Sequence, residues 1–100
     1  MKDGNYISVI ANRIRSNFNP DELPEQGLDL LFGIYAVLAL TKGEGTTDKD
    51  VHDAWSLWAS KYNPESDSLI PFEHLSSGVQ AEDSKFTEAI RSVSRDIKGL

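Results

Sequence analysis

The longest apolar run in the chain, "LLFGIYAVLAL" from Leu30 to Leu40, limits the possible folds more than any other feature. It contains no charged residue, and it is too short to cross a bilayer, which takes about 20 apolar residues. A helix that is apolar on every side is usually buried inside a protein. The run therefore predicts a helix that other elements cover on most sides.

Apolar side chains recur at helical spacing in three further segments of the chain. We predict helices over about Tyr6 to Phe18, from Pro24 or Glu25 to Lys42, from about Thr47 to Tyr62, and over about Asp83 to Lys98. A chain of 100 residues can bury one modest core. The predicted fold class is therefore all-α, a compact bundle of about four helices in a single domain over residues 1–100. A short helical turn or an irregular segment would join the third and fourth helices.

Local signals support these helices. Asp3 or Asn5 can cap the first helix, because a short polar side chain accepts hydrogen bonds from its free N–H groups. Thr47 followed by Asp50 resembles a capping box at the start of the third. Gly33 in the middle of the second costs about 1 kcal/mol relative to alanine, so we expect a bulky neighbour to approach it closely.

The segment "DSLIPFEHL", Asp67 to Leu75, carries more apolar surface than a connection between helices normally does. Pro71 in its middle and its poor alternation argue against a strand. We predict a plug with Leu69, Phe72 and Leu75 turned inward, which closes the tryptophan-bearing face of the third helix. Whether its edge also forms the rim of a ligand site stays open.

Charge and composition narrow the functional classes. The net charge of -6 disfavours a protein that follows the phosphates of a nucleic acid and favours basic partners. The chain has no cysteine, which fits the cytoplasm, and "MKDGNYISVI" has neither the apolar segment nor the cleavage site of a signal peptide. We predict a cytoplasmic protein that binds neither membranes nor nucleic acid.

No motif indicates a cofactor, a metal or a catalytic group. His52 and His74 could ligate a metal with Asp53, Glu73 or Asp83, but no standard spacing is present. A histidine that is hydrogen-bonded to a loop is the alternative that we favour. "NPESDSLIPFEH" lacks the glycine and the glutamate of a calcium loop, and "KGEGTT" is either an anion site or a simple turn between helices. No nucleophile motif occurs, so we predict a protein without enzymatic activity and without a cofactor.

The aromatic side chains of the third helix are candidates for ligand contact. Trp55, Trp58 and Tyr62 lie at core spacing, yet tryptophan is rarely buried completely and its N–H needs a partner. A tryptophan border flanked by His52 and Lys61 would suit stacking against a planar ligand. Val9 and Leu57 fall outside the apolar stripes of their helices. They are either singly exposed or part of a partner surface.

Three short motifs, "VHDAW" at Val51–Trp55, "SLIPFEHL" at Ser68–Leu75 and "AED" at Ala81–Asp83, resemble the ryanodine-receptor (RyR) domain family. The chain as a whole is similar to small uncharacterised proteins of actinobacteria and their phages. Ser84 stands where the RyR family has an arginine. The resemblance implies that His52 bonds the backbone of the "SLIPFEHL" segment or Asp83. It also implies a small-molecule sensor in a nucleotide-processing or defence setting.

Two functional hypotheses follow. The first is a non-enzymatic, RyR-like binding module for a small nucleotide-like ligand or a peptide; its predicted ligand-binding residues are His52, Trp55, Trp58, Lys61, Phe72 and Asp83. The alternative is a bacterial or phage-encoded protein-interaction factor that binds a host or defence protein through Val9 and Leu57. It would act in the host cytoplasm if it is phage-encoded.

Overall fold

Four α-helices and three short 3-10 turns make up the part of the chain that the computed structural model describes, residues 5–97. The helices are α1 (Tyr6–Arg15), α2 (Leu28–Thr41), α3 (Asp48–Tyr62) and α4 (Ser77–Asp96). The 3-10 turns are Pro20–Glu22, Gly43–Gly45 and Phe72–His74. No strand occurs among these residues, and the predicted all-α bundle is confirmed.

Side-chain caps explain where three of the helices begin. The Asn5 side chain accepts a hydrogen bond from the Ser8 N–H at 2.9 Å, whereas Asp3 lies outside the described residues. Thr47 and Asp50 form the predicted capping box, with each side chain bonded to the backbone N–H of the other. The Ser76 side chain accepts from the Val79 N–H, and α4 therefore begins at Ser77, one turn and more before the predicted Asp83.

Two other predicted boundaries are wrong for local reasons. The N–H groups of Asn17 and Phe18 bond three residues back, to Ile14 and Arg15, so the α1 ladder has already ended. α2 begins at Leu28 because Gly27 before it adopts a left-handed φ of 68°, which a helix does not continue. The predicted C-terminal residue of the last helix, Lys98, lies outside the described residues.

The apolar run in α2 lies at the centre of the core on one side only. Its buried side chains are Leu31, Phe32, Tyr35, Ala36 and Ala39. Leu30, Val37 and Leu40 are exposed, so the prediction of a helix covered on most sides is wrong for the outer face. Among residues 5–97, nothing lies within 4 Å of a Cβ built on Gly33, so this part of the chain does not provide the expected bulky neighbour. No helix among residues 5–97 is long and apolar enough to cross a membrane.

The predicted plug is present between α3 and α4. Leu75 is buried and Leu69 packs against the core, while Phe72 is half-buried at the start of a 3-10 turn. Gln80 of α4 donates a side-chain hydrogen bond to the Phe72 carbonyl at 2.9 Å. The segment is therefore held by apolar packing and by hydrogen bonds to its backbone rather than by strand pairing.

Candidate functional site

A cavity of about 270 Å³ lies where α2, α3 and α4 meet beside the plug. Its walls include Leu31 and Tyr35 from α2, His52 and Trp55 from α3, and Asp83 and Phe86 from α4. Three of these six side chains are aromatic and one is a carboxylate. The cavity thus combines an apolar lining with a few polar groups, which is typical of small-molecule sites.

His52 connects the cavity to the plug. Its side chain is 3% exposed, and its Nε2 lies 2.7 Å from the carbonyl oxygen of Ile70. A carbonyl only accepts, so Nε2 carries the proton and donates it. The ring also stacks on Trp55, with the centroids 5.5 Å apart, and lies 6.2 Å from the ring of Phe72. The expectation of a loop-bonded histidine is confirmed, although His52 is buried rather than at a border.

Asp83 faces the other nitrogen of this histidine. Its Oδ2 lies 3.8 Å from His52 Nδ1, which is beyond hydrogen-bond distance. That oxygen is buried and has no hydrogen-bond partner among the described residues. Burial raises the pKa of Asp83 to about 6; His52 opposes this rise, and the nearby carboxylates of Asp48 and Glu82 add to it. Asp83 is therefore a largely buried acid whose charge His52 offsets only in part and whose Oδ2 receives no hydrogen bond from the described residues.

A second carboxylate nearby is fully partnered. Asp48 at the start of α3 accepts hydrogen bonds from Ser84 Oγ at 2.9 Å and from Thr87 Oγ1 at 2.6 Å. Ser84 is thus a structural link between α3 and α4. Sequence reasoning missed Asp48 and Tyr35 as neighbours of the site. The one indication in the sequence is that Ser84 and Thr87, three positions apart on α4, place two hydroxyl groups on one helix face. Such a pair can donate to an acidic side chain of a neighbouring helix, which here is Asp48.

The structure brings three of the six predicted ligand-binding residues, His52, Trp55 and Asp83, together at the cavity. The other three lie elsewhere. Trp58 is 5% exposed and its Nε1 donates to the Gln26 carbonyl at 3.2 Å, so it belongs to the core. Lys61 is exposed.

Lys61 lies over the ring of Tyr62, with Nζ 5.4 Å from its centroid, and Phe72 contacts His52 without lining the cavity. The prediction that both tryptophans lie at the border of a site therefore agrees with the position of Trp55 and is wrong for Trp58. Trp55 is half-buried beside the cavity, and Trp58 is sealed in the core.

The residues of the predicted partner surface, Val9 and Leu57, are 40% and 60% exposed. They lie on α1 and α3, and their role in a partner surface stays a prediction. The described residues contain no group of three or more potential metal ligands. The carboxylates of Asp53 and Glu73 both lie close to Lys49 Nζ, at 3.7 and 3.4 Å.

The "KGEGTT" segment is a turn between helices. Gly43 has a left-handed φ of 58° and starts a 3-10 turn. The buried Thr46 donates its hydroxyl to the Gly43 carbonyl at 2.8 Å, and Arg91 Nε donates to the Thr46 carbonyl at 2.7 Å. The expected alternative of an anion site has no support here, because Glu44 lies within the turn.

A second depression, a groove of about 550 Å³, lies between α1 and α2. Ala11, Phe32 and Gly33 form part of its floor, and exposed polar side chains such as Asn12 and Arg15 form its edge. None of its polar side chains is buried. It therefore lacks the combination of burial and charge found around Asp83.

The fold and the cavity define a small all-α domain of four helices with a buried histidine–aspartate pair at a cavity wall. The family model described as "Domain of unknown function (DUF7701)" matches residues 5–95, and the chain belongs to this family. No curated protein and no solved structure matches it.

The family match overturns the resemblance to the RyR domain, which rested on three short motifs. The bond from His52 to the backbone of the "SLIPFEHL" segment, which was expected with that resemblance, is nevertheless confirmed. "VHDAW" and "SLIPFEHL" contain the two ends of the His52–Ile70 hydrogen bond, and Asp83 lies beside the same histidine. The actinobacterial and phage setting inferred with the resemblance has no support from the match.

Proposed function

We propose that the protein is a non-enzymatic binding module that holds a small planar molecule in the cavity at Trp55 and Asp83. One observation carries the proposal: Asp83, whose buried Oδ2 has no hydrogen-bond partner among residues 5–97, is a lining residue of a cavity with aromatic walls. Buried polar groups are normally satisfied. A polar side chain that lacks hydrogen-bond partners and lies beside a cavity favours a ligand that donates a hydrogen bond to it.

The dimensions of the cavity favour a compact ligand. Its volume of about 270 Å³ is just below the usual range for drug-sized ligands, which starts at about 300 Å³. Trp55 and Phe86 offer flat apolar surface, and Tyr35 adds a hydroxyl-bearing ring. A single planar ring system suits these walls better than a complete nucleotide does.

The charges around the cavity also weigh against a phosphate group. Glu22 and Glu82 accompany Asp83 among the lining residues, and Lys85 is the one lysine or arginine among them. Phosphate recognition relies on cationic side chains and backbone N–H groups. Of the expected nucleotide-like ligand, we therefore retain only a planar, base-like ring system and no phosphate group.

The state of His52 argues against acid–base catalysis with a serine. Ser68 lines the same cavity, and Asp83 lies on the Nδ1 side of His52, as an acid does in a catalytic triad. However, Nε2 must keep its proton to donate to the Ile70 carbonyl. It cannot accept the proton of a serine hydroxyl, which nucleophilic catalysis would require.

A fragment screen tests the proposal. Planar heteroaromatic fragments of each charge are added to the folded full chain, and backbone and indole N–H signals are followed by NMR. We expect fragments that shift the Trp55 indole signal, with affinity reduced at least tenfold in Trp55→Ala. Leu57→Ala, two residues along α3 and exposed, is the matched control and should bind normally. If no fragment shifts signals of cavity residues in folded protein, the cavity is not a binding site.

A protein-interaction factor is the second candidate. The exposed apolar side chains of Val9 and Leu57, together with the net charge of -6, support a basic partner that has apolar contacts. A pull-down with the folded protein tests this candidate. A partner that is retained by both Val9→Asp and Leu57→Asp would show that this surface is not used.

A further inference from the structure

The side chains around the cavity carry an uncompensated negative charge. Asp83, Glu22 and Glu82 line it, and among the described lining residues Lys85 is the single lysine or arginine. Lys85 is exposed and lies two positions after Asp83 on α4, a spacing at which helical side chains do not face each other. The acid at the wall therefore lacks a cationic partner from its own helix.

The neighbouring helices do not supply the missing donor either. His52 of α3 faces Asp83, but its Nδ1 lies 3.8 Å from Asp83 Oδ2, and its Nε2–H is used by the Ile70 carbonyl. On the helix of Asp83 itself, the hydroxyl groups of Ser84 and Thr87 are bonded to Asp48, and that of Thr87 also to the Asp83 backbone carbonyl. Hydrogen bonds to ionised groups are the strong ones. An N–H donor of a ligand would therefore gain more binding free energy at Asp83 than elsewhere in the cavity.

The aromatic walls suit a delocalised cation. Trp55 and Phe86 are half-buried at the cavity and Tyr35 is almost fully buried there; aromatic rings attract cations, with tryptophan the most effective. Burial raises the pKa of the Tyr35 hydroxyl, so this phenol is neutral and can accept a hydrogen bond. A flat cation with several N–H groups can therefore use the rings and the carboxylate at once.

We infer that the ligand of this cavity carries an amidinium- or guanidinium-type head group that pairs with Asp83 and packs on Trp55. This inference rests on the proposed function and adds the charge and the hydrogen-bonding pattern of the ligand. A planar amidinium can donate an N–H to the exposed part of the Asp83 carboxylate and pack its plane on Trp55 at the same time, which a tetrahedral ammonium group cannot do.

Three probes of almost the same shape and different charge test the inference. Benzamidine is cationic, benzamide is neutral and benzoate is anionic, and each is titrated into the folded full chain at pH 7.5 by NMR. We expect benzamidine to bind at least tenfold more tightly than benzamide, with shifts at the Trp55 indole and around Asp83, and benzoate not to bind measurably.

Asp83→Asn should remove the preference, so that benzamidine and benzamide bind within about threefold of each other. Glu88→Gln makes the same change of charge at an exposed position on the same helix and should retain the preference. A general attraction of the acidic surface for cations would lower benzamidine binding equally in both variants. That result would overturn the role of Asp83.

The remaining outcomes separate the inference from the proposed function. Equal binding of benzamidine and benzamide at the cavity would refute the cationic ligand and leave the cavity as a binding site. Tighter binding of benzoate would refute the charge assignment. Binding of none of the three, together with no hit in the fragment screen, would refute the proposed function itself.

Discussion

Replacing Asp83 with asparagine should stabilise the protein at neutral pH, which is unusual for a change at a buried polar residue. The side chain is 15% exposed, and its pKa rises from the ordinary 3.8 to about 6 because burial disfavours the ionised form. At about 1.36 kcal/mol per pKa unit, this difference corresponds to about 3 kcal/mol at most. Partial access of water reduces the effect, so we expect Asp83→Asn to raise the free energy of unfolding by about 1–2 kcal/mol at pH 7.

The sign follows from the proton affinity of each state. The folded protein binds the Asp83 proton more tightly than the unfolded chain does, so ionisation costs the folded state free energy. That cost begins near pH 4, the ordinary carboxyl pKa, and is complete above about pH 6. The advantage of Asp83→Asn should therefore be near zero at pH 4 and reach its full size by pH 7.

Urea unfolding at pH 4, 5, 6 and 7 measures this difference in the wild type and in Asp83→Asn. The charged and titratable groups around the cavity are Asp48, His52, Glu82, Lys85, Tyr35 and Glu22. They are common to both proteins, and Glu88→Gln controls for the change in net charge. An Asp83→Asn variant that is less stable at pH 7, or an advantage that is the same at pH 4 and pH 7, would refute the reasoning.

The other predictions concern single contacts and are each measured by urea unfolding at pH 7. Asp48→Asn should destabilise by about 1–3 kcal/mol because it weakens a charged acceptor with two donors; an effect of the same sign as that of Asp83→Asn would contradict the contrast between the two acids. His52→Phe keeps an aromatic ring but leaves the Ile70 carbonyl unpaired, so it should cost about 1–3 kcal/mol and speed proteolysis within the plug; unchanged proteolysis would count against that anchor. Gly27→Ala should cost about 2–4 kcal/mol, since the position has a positive φ and its new Cβ would overlap aromatic side chains of α3. Gly33→Ala, whose new Cβ would meet open space among residues 5–97, should instead stabilise by up to about 1 kcal/mol, and a loss of stability would contradict this.

Much of the fold could be read from the sequence because its signals are local. The apolar stripes fix the helices that pack together, and the capping box of Thr47 and Asp50 fixes where α3 starts. The boundaries that were wrong depend on contacts between distant residues. α2 begins later than predicted because Gly27 has a positive φ and lies against aromatic side chains of α3. The outer face of α2 stays exposed because none of the other three described helices covers it.

The candidate site was only partly readable for the same reason. Trp55 and Trp58 look alike in the sequence, since both lie on the apolar stripe of α3. Their environments differ because Trp58 lies over the connection that precedes α2, with its N–H bonded to the Gln26 carbonyl, whereas Trp55 borders the cavity.

The sequence by itself determined that four helices form, because helical periodicity and capping act over a few residues. Only the tertiary structure decided which polar groups find partners. Asp48 and Asp83 are both aspartates beside the interface of α3 and α4, yet the first accepts two hydroxyl hydrogen bonds and the second has a buried oxygen that accepts none from residues 5–97. This difference depends on angstrom-scale distances between residues more than thirty positions apart, and it makes Asp83, rather than Asp48, the candidate anchor for a ligand.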